Sequence, residues 1–526
     1  AFRSTKDIAS KGGYLFAWMM DALMVGIGVG FDTLGAKTFT VKEPQWTNDT
    51  LLIEDSREGW VNSVHILLDG YILGKKVPNF DYSSIRGKGE PIRGFGGTSS
   101  GPDPLIELHN NLRDLLGSKV GEQIESVDIV DIENLIGRCV VAGNVRRSAA
   151  LAIGGYSDKD YLTMKNDQEK LYHHRWGSNN SFEAKVGMDY TWHAAQSAIN
   201  GEPGYIWLDN ARNYGRMKDG KKTDDLKVMG FNPCVEQQLE DAELCCLVET
   251  FPAKHDTYED YVKTLEIAYM YGKTVTLINT HWPETNAIML KNRRIGLSQS
   301  GVIQAFNKFG RRTMMNWCDD AYKHVGTLDK EYSDWLCVPR SVRMTSIKPS
   351  GTVSLLNGST PGIHYPEDEY YIRRIRFSMT SDILPTLEKA GYKIEKDSYS
   401  PNTMCVEFPV HEPFFKKGKR EISMWEQLEI AAQYQYYWAD NSVSITVTFK
   451  EEEAYEIKDA LEMYEARLKA VSFLKYQETG YKQAPYEPIT KEEYEEMIKS
   501  ITPIQKIETS EGGVGSKFCS NDTCEI

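Results

Sequence analysis

The uninterrupted stretch of residues 1–477 limits the folds available to this chain more than any other feature. Strand-like hydrophobic runs alternate there with long helical patterns, and no repeat, low-complexity block or clear linker separates them. This alternation is typical of an α/β architecture. Residues 442–449 alternate as a strand, whereas residues 451–476 keep apolar side chains at helical spacing. We therefore predict one α/β body over residues 1–477, a helical extension over 478–508 and a flexible tail over 509–526.

The composition disfavours several classes of protein. No run of 18 apolar residues exists, so we expect no membrane span. The net charge of −14 disfavours nucleic-acid binding, which depends on excess lysine and arginine. Nine cysteines, most of them scattered singly, favour a reducing compartment over a disulfide scaffold. We expect a cytoplasmic protein whose ligands are small molecules.

Two cysteines near the end of the sequence, Cys519 and Cys524, follow a Gly/Ser-rich stretch at residues 510–516. A tail with so few apolar residues cannot offset its ordering cost, so we predict that it is mobile. A dithiol on a mobile tether can reach a disulfide elsewhere and exchange with it. A zinc half-site is the alternative, but no second cysteine pair supplies the two further ligands. Thiol exchange without a metal is the favoured interpretation.

Three glycine-containing segments differ in what they indicate. Residues 25–31 alternate glycine with apolar residues, which fails the GxGxxG spacing of a dinucleotide fold and indicates a close backbone approach by a neighbour or ligand. Residues 94–102 and 348–354 each combine small residues, hydroxyls and backbone N–H groups, as a phosphate cradle requires. Neither ends as a Walker motif does, and each alone is equally compatible with an ordinary turn. Nearby basic residues favour phosphate: Lys348, Arg146, Arg147, Arg293, Arg294, Arg373 and Arg374.

The segment Asn-Pro-Cys-Val-Glu at residues 232–236 is the chemical centre of the sequence. In an extended loop, positions i−2, i and i+2 face the same way, so Asn232, Cys234 and Glu236 would present an amide, a thiol and a carboxylate on one surface. A lone buried cysteine is usually inert, but this grouping fits radical or acid–base chemistry on a hydroxylated substrate. Cys245 follows eleven residues after Cys234. The other internal cysteines lack such neighbours and are predicted to be structural: Cys139, Cys318, Cys337 and Cys405.

In combination, these motifs resemble those of ribonucleotide reductases, most nearly the monomeric, adenosylcobalamin-dependent ribonucleoside-triphosphate reductases. The resemblance covers nearly the whole chain, and it is specific because many motifs occur in order. The matching segments are residues 94–102, 143–148, 174–180, 232–236, 292–296, 348–355, 360–364 and 437–441, together with the terminal cysteine pair.

The resemblance implies a fold and a chemistry. The fold would be a ten-stranded α/β barrel of the ribonucleotide reductase/glycyl radical type, with a central finger loop at residues 230–247. Cleavage of the cobalt–carbon bond of adenosylcobalamin would make Cys234 a thiyl radical that removes the 3′-hydrogen of the ribose. Glu236 would be the base toward the 3′-hydroxyl and Asn232 would orient the sugar. Cys245 would be one of two thiols that reduce the 2′ position, and Cys519 and Cys524 would regenerate them with thioredoxin as reductant.

The resemblance also assigns nucleotides to two segments. The triphosphate of the substrate would bind at Ser350, Gly351, Thr352, Val353 and Ser354. Deoxynucleotide effectors would act through loops within residues 90–180, at Gly143, Asn144, Val145, Arg146 and Arg147. The residues that contact the corrin are not assigned.

Three positions depart from the family pattern. The second reducing cysteine, expected just before Ala1, is absent, since no cysteine precedes Cys139. We therefore expect the first strand region to be missing, and the chain to be the larger C-terminal part of a split or truncated enzyme that an N-terminal fragment completes. Val235 stands where the family usually has glycine, and Cys246 adjoins Cys245.

Other functions fit the sequence less well. A ribonucleoside-diphosphate reductase of the same class is one alternative, and a non-catalytic nucleotide-binding regulator derived from a reductase is another, although it would not need the terminal cysteine pair. A thiol-disulfide oxidoreductase would leave Asn232, Glu236 and the phosphate turn unexplained. An oxygen-dependent diiron reductase would need a terminal tyrosine relay, and a glycyl-radical type an RxxGY-like segment; the sequence shows neither.

Overall fold

The computed structural model of this protein describes residues 1–92, 98–142, 148–379, 381–398, 403–476 and 482–504. Strands and helices alternate along these residues, which confirms the predicted α/β class. The strands are β1 (Phe2–Arg3), β2 (Val29–Asp32), β3 (Gln45–Leu52), β4 (Lys76–Asp81), β5 (Ala150–Gly155), β6 (Ser178–Glu183), β7 (Gly204–Ile206), β8 (Gly230–Phe231), β9 (Gln238–Leu239), β10 (Leu247–Thr250), β11 (Gly296–Gln299), β12 (Tyr370–Ser378), β13 (Lys393–Lys396), β14 (Thr403–His411), β15 (Thr446–Phe449), β16 (Ala470–Lys475) and β17 (Tyr486–Pro488).

The helices surround these strands. They are α1 (Ile8–Lys11), α2 (Tyr14–Met24), α3 (Arg57–Leu73), α4 (Asp103–Gly117), α5 (Ser126–Val141), α6 (Lys159–Thr163), α7 (Gln168–His173), α8 (Thr191–Asn200), α9 (Leu208–Asn213), α10 (Tyr258–Val275), α11 (Pro283–Asn292), α12 (Val302–Phe309), α13 (Arg311–Leu336), α14 (Val353–Leu356), α15 (Leu384–Lys389), α16 (Met424–Tyr437), α17 (Ile457–Tyr464) and α18 (Lys491–Ser500). No helix within the described residues is long and apolar enough to cross a membrane.

The central sheet has seven strands in the order β1-β2-β5-β6-β7-β16-β15. Its first five strands run parallel to one another, β7 and β16 are antiparallel, and β16 and β15 are parallel again. Every residue of α2 after Tyr14 is buried, which places the apolar helix in the core beside β2. The sheet therefore joins two sets of parallel strands that run in opposite directions.

The second set of parallel strands continues beyond β15. Strands β10 and β11 pair in parallel, and single parallel bridges join Leu297 to Thr345 and Ile347 to Val443. The pairing thus passes from β10 and β11, through the short segment 345–347, to the strand that contains β15. The carboxyl end of that short segment leads directly into Lys348 and the predicted phosphate turn.

The prediction that the first strand region is missing needs correction. Phe2 and Arg3 form β1 and pair with Gly30 and Phe31 of β2. On its other side, Phe2 donates its N–H to the carbonyl of Glu243 and accepts a hydrogen bond from the N–H of Ala242. Backbone partners on both sides therefore fix this position, so the edge of the sheet is not open there.

The prediction of one helix over residues 451–476 is wrong at its C-terminal end. A 3-10 turn (Glu451–Glu456) and α17 are followed by β16, which lies between β7 and β15. Residues 470–474 are apolar except for Ser472, and periodicity alone cannot separate such a short run from a helix segment. Near the C-terminal end of the described chain, β17 joins the antiparallel sheet β13-β14-β12-β17, and α18 follows it.

Candidate active site

The segment Asn-Pro-Cys-Val-Glu lies in a hairpin loop that we define as residues 232–237. Strands β8 and β9 flank it and pair antiparallel, Gly230 with Leu239 and Phe231 with Gln238. The N–H of Asn232 donates to the carbonyl of Gln237 (3.2 Å), and the N–H of Gln237 donates to Asn232 Oδ1 (3.0 Å). The Asn232 side chain thus closes the loop at its base.

The glycines of β2 allow this hairpin to approach the central sheet. A Cβ atom on Gly30 would lie 1.8 Å from the carbonyl oxygen of Phe231, and one on Gly28 would lie 3.1 Å from Pro233 Cγ. Gly28 and Gly30 therefore serve a close approach, as the pattern predicts, and the neighbour is the hairpin loop, whereas nothing lies within 4 Å of a Cβ position at Gly26.

Asn232, Cys234 and Glu236 lie together, but the loop is not extended as we expected. Val235 has a φ of 63° and donates its N–H to the carbonyl of Asn232 (2.9 Å), so the chain makes a tight turn. A β-branched residue is disfavoured in this left-handed region, where glycine is tolerated. The turn explains why glycine would suit this position and why valine there is a strained substitute.

The Glu236 carboxylate is held through only one of its oxygens. Asn232 Nδ2 donates to Glu236 Oε1 (2.8 Å), and Lys348 Nζ lies 3.0 Å from the same atom. The residue is fully buried, and within the described part of the chain Oε2 has no hydrogen-bond partner. A buried carboxylate oxygen without a donor is an available proton acceptor.

Lys348 is a member of this group that the sequence analysis considered only as a phosphate-binding cation. Its Nζ is also 3.6 Å from Cys234 Sγ. Burial alone would lower the pKa of Lys348, but the charges of Glu236 and Cys234 outweigh it and the pKa is raised. Burial, followed by the charge of Glu236, raises the pKa of the Cys234 thiol, and Lys348 opposes this. Its place directly before Pro349 gave no signal of this contact with the hairpin loop.

Cys245 and Cys246 lie in different surroundings. Cys245 is half-buried, and the backbone nitrogen of Ala1 lies 3.7 Å from its Sγ and donates to the carbonyl of Gly28 (2.8 Å). Cys246 is buried, and burial followed by the neighbouring Cys245 raises the pKa of its thiol to about 12. Cys245 is therefore the more available thiol of the two.

The predicted phosphate turn combines buried hydroxyls with an open backbone. Ser350 is buried, with its Oγ 3.3 Å from Ser300 Oγ, and the Ser354 hydroxyl donates to the carbonyl of Ser350. At Gly351 nothing lies within 4 Å of a Cβ position, and Val353 is 47 % exposed. The Ser354 hydroxyl is thus used within the turn, whereas the backbone around Gly351 faces open space.

Glu249 is a second carboxyl group beside this turn, and the sequence analysis missed it. Ser298 Oγ donates to Glu249 Oε1 (3.1 Å), and the N–H of Lys348 donates to Ser298 Oγ (2.9 Å). Burial raises the pKa of Glu249 to about 7, although the hydroxyls of Ser300, Ser298 and Ser350 oppose the shift. Glu249 lies on β10 only four residues after Cys245, and this closeness along the chain is the signal that could have found it.

Two cavities share Pro349 in their walls. One, of about 360 Å³, is lined by Cys234 and by residues of β6, β7 and β16; its wall includes Asn180, Tyr205, Ser444 and Ser472. The other, of about 220 Å³, is lined by Gly351, Thr360, His364 and Tyr486. The thiol of Cys234 and the turn at Gly351 therefore each face a space that a ligand could occupy.

Several predicted residues lie outside the described part of the chain: Gly143, Asn144, Val145, Arg146, Arg147, Cys519 and Cys524. Of the cysteines predicted to be structural, Cys139, Cys318 and Cys405 are buried, whereas Cys337 is exposed at the end of α13. Among the described residues, no group of three or more His, Cys, Asp or Glu side chains is placed to hold a metal ion.

Comparison with known proteins gives consistent matches along the chain. Residues 33–116 match the family described as "B12-dependent ribonucleotide reductase, insertion domain". A probable adenosylcobalamin-dependent ribonucleoside-triphosphate reductase of Dictyostelium discoideum is 46% identical over 553 residues, which span 100% of this chain and 73% of that protein. The adenosylcobalamin-dependent ribonucleoside-triphosphate reductase of Euglena gracilis is also 46% identical, over 537 residues that span 100% of this chain and 74% of that protein.

A solved structure supports the same relationship. The crystal structure of a B12-dependent (class II) ribonucleotide reductase superimposes with a TM-score of 0.84 at 34% identity, covering 93% of this chain and 78% of that one. Sequence and fold thus agree over nearly the full length. The chain belongs to the family of adenosylcobalamin-dependent ribonucleoside-triphosphate reductases.

Proposed function

We propose that this chain reduces ribonucleoside triphosphates to 2′-deoxyribonucleoside triphosphates by thiyl-radical chemistry, with adenosylcobalamin as cofactor. The observation that carries the proposal is the grouping of Cys234, Glu236 and Asn232 in the hairpin loop, with Glu236 Oε2 buried and unpartnered. A hydrogen-atom acceptor and a proton acceptor on one loop are what removal of a carbon-bound hydrogen beside a hydroxyl requires.

Each residue of the hairpin loop has a distinct role. Cys234, as a thiyl radical, takes the 3′-hydrogen atom of the ribose and later returns it. Glu236 Oε2 accepts the proton of the 3′-hydroxyl, while Asn232 and Lys348 fix Oε1. Asn232 also orients the sugar. When bound, adenosylcobalamin supplies the radical that Cys234 receives.

The cavity of about 360 Å³ beside Cys234 fits a role in holding part of this cofactor. Its volume lies within the range of small-molecule sites. Its wall combines apolar surface with amide and hydroxyl groups: Asn180, Ser181, Ser444 and Ser472. These residues would hold the cofactor next to the thiol that it activates.

Reduction of the 2′ carbon takes two electrons, and we propose that Cys245 and a second thiol supply them. The 2′ carbon–oxygen bond breaks, water leaves, and the two thiols become a disulfide. The second thiol would come from a residue immediately before Ala1, in a longer form of the chain or in a separate N-terminal fragment. The distance of 3.7 Å between the Ala1 nitrogen and Cys245 Sγ supports this placement.

The phosphate turn, the effector loop and the terminal cysteine pair have further roles in the proposed reaction. The triphosphate binds along Ser350, Gly351, Thr352, Val353 and Ser354, where the open backbone at Gly351 supports the assignment. Gly143, Asn144, Val145, Arg146 and Arg147 respond to deoxynucleotide effectors. Cys519 and Cys524 on the tail over residues 509–526 regenerate the active-site thiols and are reduced by thioredoxin. The scattered cysteines favour a cytoplasmic location.

For the fold, we propose a ten-stranded barrel over residues 1–477 with the finger loop at residues 230–247 in its centre. The first half consists of β1, β2, β5, β6 and β7; the second consists of β16, the strand containing β15, the segment 345–347, β11 and β10. The parallel pairing within each half and the antiparallel contact of β7 with β16 support this arrangement. Residues 478–508 form the C-terminal extension.

The test is a product assay with matched nucleotides. The chain is incubated with adenosylcobalamin, a small dithiol and either CTP or CDP, alone or with an N-terminal fragment that ends in cysteine before Ala1. We expect dCTP from CTP with the fragment present, and no product from the chain alone or with a fragment that ends in serine.

The other outcomes separate the alternatives. Preference for CDP would favour a diphosphate reductase, and nucleotide binding without reduction under every condition would favour a regulator. Rapid reduction by the chain alone would show that Cys246 or Cys139 replaces the second thiol.

A further inference from the structure

Lys348 joins the phosphate turn to the hairpin loop. Its N–H donates to Ser298 Oγ (2.9 Å), its carbonyl accepts from the N–H of Ser350 (3.0 Å), and Ile347 before it forms a parallel bridge with Val443. The backbone of Lys348 is therefore fixed at the end of a strand segment. Its side chain leaves this fixed point and ends at the hairpin loop.

The ammonium group of Lys348 acts on the two reactive groups at once. It lies 3.0 Å from Glu236 Oε1 and 3.6 Å from Cys234 Sγ. Asn232 Nδ2 occupies the same carboxylate oxygen, and in the described residues Oε2 has no donor. Two donors therefore converge on Oε1, which leaves Oε2 for a group that is not part of the hairpin.

The charges around Lys348 come from each element packed against it. The hairpin loop contributes Glu236 and Cys234, and Cys245 before β10 adds a further thiol. Glu249 on β10 also interacts electrostatically with Lys348. One ammonium group thus faces two carboxyl groups and two thiols, and removing one partner of a buried ion pair leaves the other partner without compensation.

We propose that Lys348 is a positioning residue of the active site: its ammonium group fixes Glu236 Oε1, so that Oε2 is directed at the substrate hydroxyl, and keeps the Cys234 thiol beside it. This inference deepens the proposed reductase function and rests on it. Because Ser350 follows two residues later, the same short segment also links the phosphate turn to the base. Lys348 acts through Glu236 and Cys234, not by contact with the reacting carbon atoms.

The first test needs no cofactor and no turnover. Mass spectrometry follows the rate at which iodoacetamide alkylates Cys234 as a function of pH. The proteins compared are the wild type, Lys348→Met, Lys348→Arg and Lys263→Met. Lys263 is an exposed lysine on α10 and serves as the control. Loss of the cation raises the pKa of the Cys234 thiol. In Lys348→Met this thiol should therefore react about tenfold more slowly at about pH 8. Lys348→Arg should restore most of the rate, and Lys263→Met should match the wild type.

The second test uses NTP reduction by the complemented enzyme. We expect Lys348→Met to lower kcat roughly 100-fold, as loss of a general base does, while KM for the nucleotide changes by less than about threefold. Thermal unfolding and nucleotide binding of each variant show whether it is folded.

Two results would overturn the inference. One is an identical pH dependence of Cys234 alkylation in Lys348→Met and Lys263→Met. The other is a raised KM with unchanged kcat, which would make Lys348 a phosphate ligand. If the wild type reduces no nucleotide, the proposed function fails, whereas the alkylation experiment still decides the role of Lys348.

Discussion

At the scale of single residues, the site is organised around the two oxygens of Glu236. One oxygen binds Asn232 and Lys348, and the other is buried without a donor in the described residues. A base that must accept and return a proton needs one fixed oxygen for orientation and one free oxygen for the substrate. The grouping of Asn232, Cys234 and Glu236 could be predicted from the sequence, because these residues are close along the chain. It could not predict Lys348, whose contact with Glu236 joins residues 112 positions apart.

Glu249 provides a residue-scale prediction for the pH dependence of stability. Burial raises its pKa from an ordinary 4.5 to about 7, so the folded state keeps a proton that the unfolded state releases. This contribution is complete below about pH 4.5 and is lost as the pH rises toward about 7. Across this interval we expect the unfolding free energy of the wild type to fall by up to about 3 kcal/mol because of Glu249. The Glu249→Gln variant should not show this decrease.

The measurement compares thermal or urea unfolding of the wild type, Glu249→Gln and Glu388→Gln, an exposed glutamate, at both ends of this pH interval. The difference between wild type and Glu249→Gln should grow with pH, while Glu388→Gln follows the wild type. Parallel pH profiles for the wild type and Glu249→Gln would show that the carboxyl is ionised in the folded protein.

At the scale of elements, the approach of the hairpin to β2 positions the reactive loop. Gly30→Ala places a Cβ atom 1.8 Å from the carbonyl of Phe231, so the hairpin must move. We expect a loss of about 2 kcal/mol or more of stability together with most of the reductase activity. Gly155→Ala, on β5, is the control because nothing lies within 4 Å of its Cβ position; it should stay within about 0.5 kcal/mol of the wild type.

Thermal unfolding and the NTP assay together test this prediction. Equal stability and activity of the Gly30→Ala and Gly155→Ala variants would show that the hairpin is not held against β2 in solution.

At the scale of elements, some features of the fold could be predicted from the sequence and others could not. The α/β alternation and the close approach at the β2 glycines followed from local patterns, and the structure confirms both. Residues 470–475 were predicted as helix and form β16, since the periodicity of a short, mainly apolar run does not separate a strand from a helix segment. The turn at Val235 was predicted as extended because spacing alone does not reveal a positive φ. Glu249 was missed because its serine partners come from other elements.

At the scale of the whole molecule, the proposed active site is built from parts that meet from distant positions in the sequence. The hairpin loop, β10, the phosphate turn and the N-terminal Ala1 converge within one α/β body. Under the proposed function, the terminal cysteine pair must visit the same site after each turnover.

The terminal pair gives the whole-molecule prediction. Replacing Cys519 and Cys524 with serine should abolish multiple turnovers driven by thioredoxin, but spare turnover driven by a small dithiol that reaches the active site directly. Cys337→Ser, which removes an exposed thiol at the end of α13, should leave both reactions unchanged. Equal failure with both reductants would make the pair structural and refute its role in exchange.

The central claim is that Cys234 removes the 3′-hydrogen of the substrate, and isotope release tests it most directly. CTP with tritium at the 3′ carbon is incubated with adenosylcobalamin, dithiol and the complemented enzyme, and tritium in water is counted. Tritium held on the Cys234 thiol can exchange with water before the hydrogen atom is returned, so we predict slow release by the wild type. We predict none by Cys234→Ser, although this variant still binds CTP, because a hydroxyl cannot replace the thiol as hydrogen-atom carrier. Release by Cys234→Ser at the wild-type rate would contradict the account.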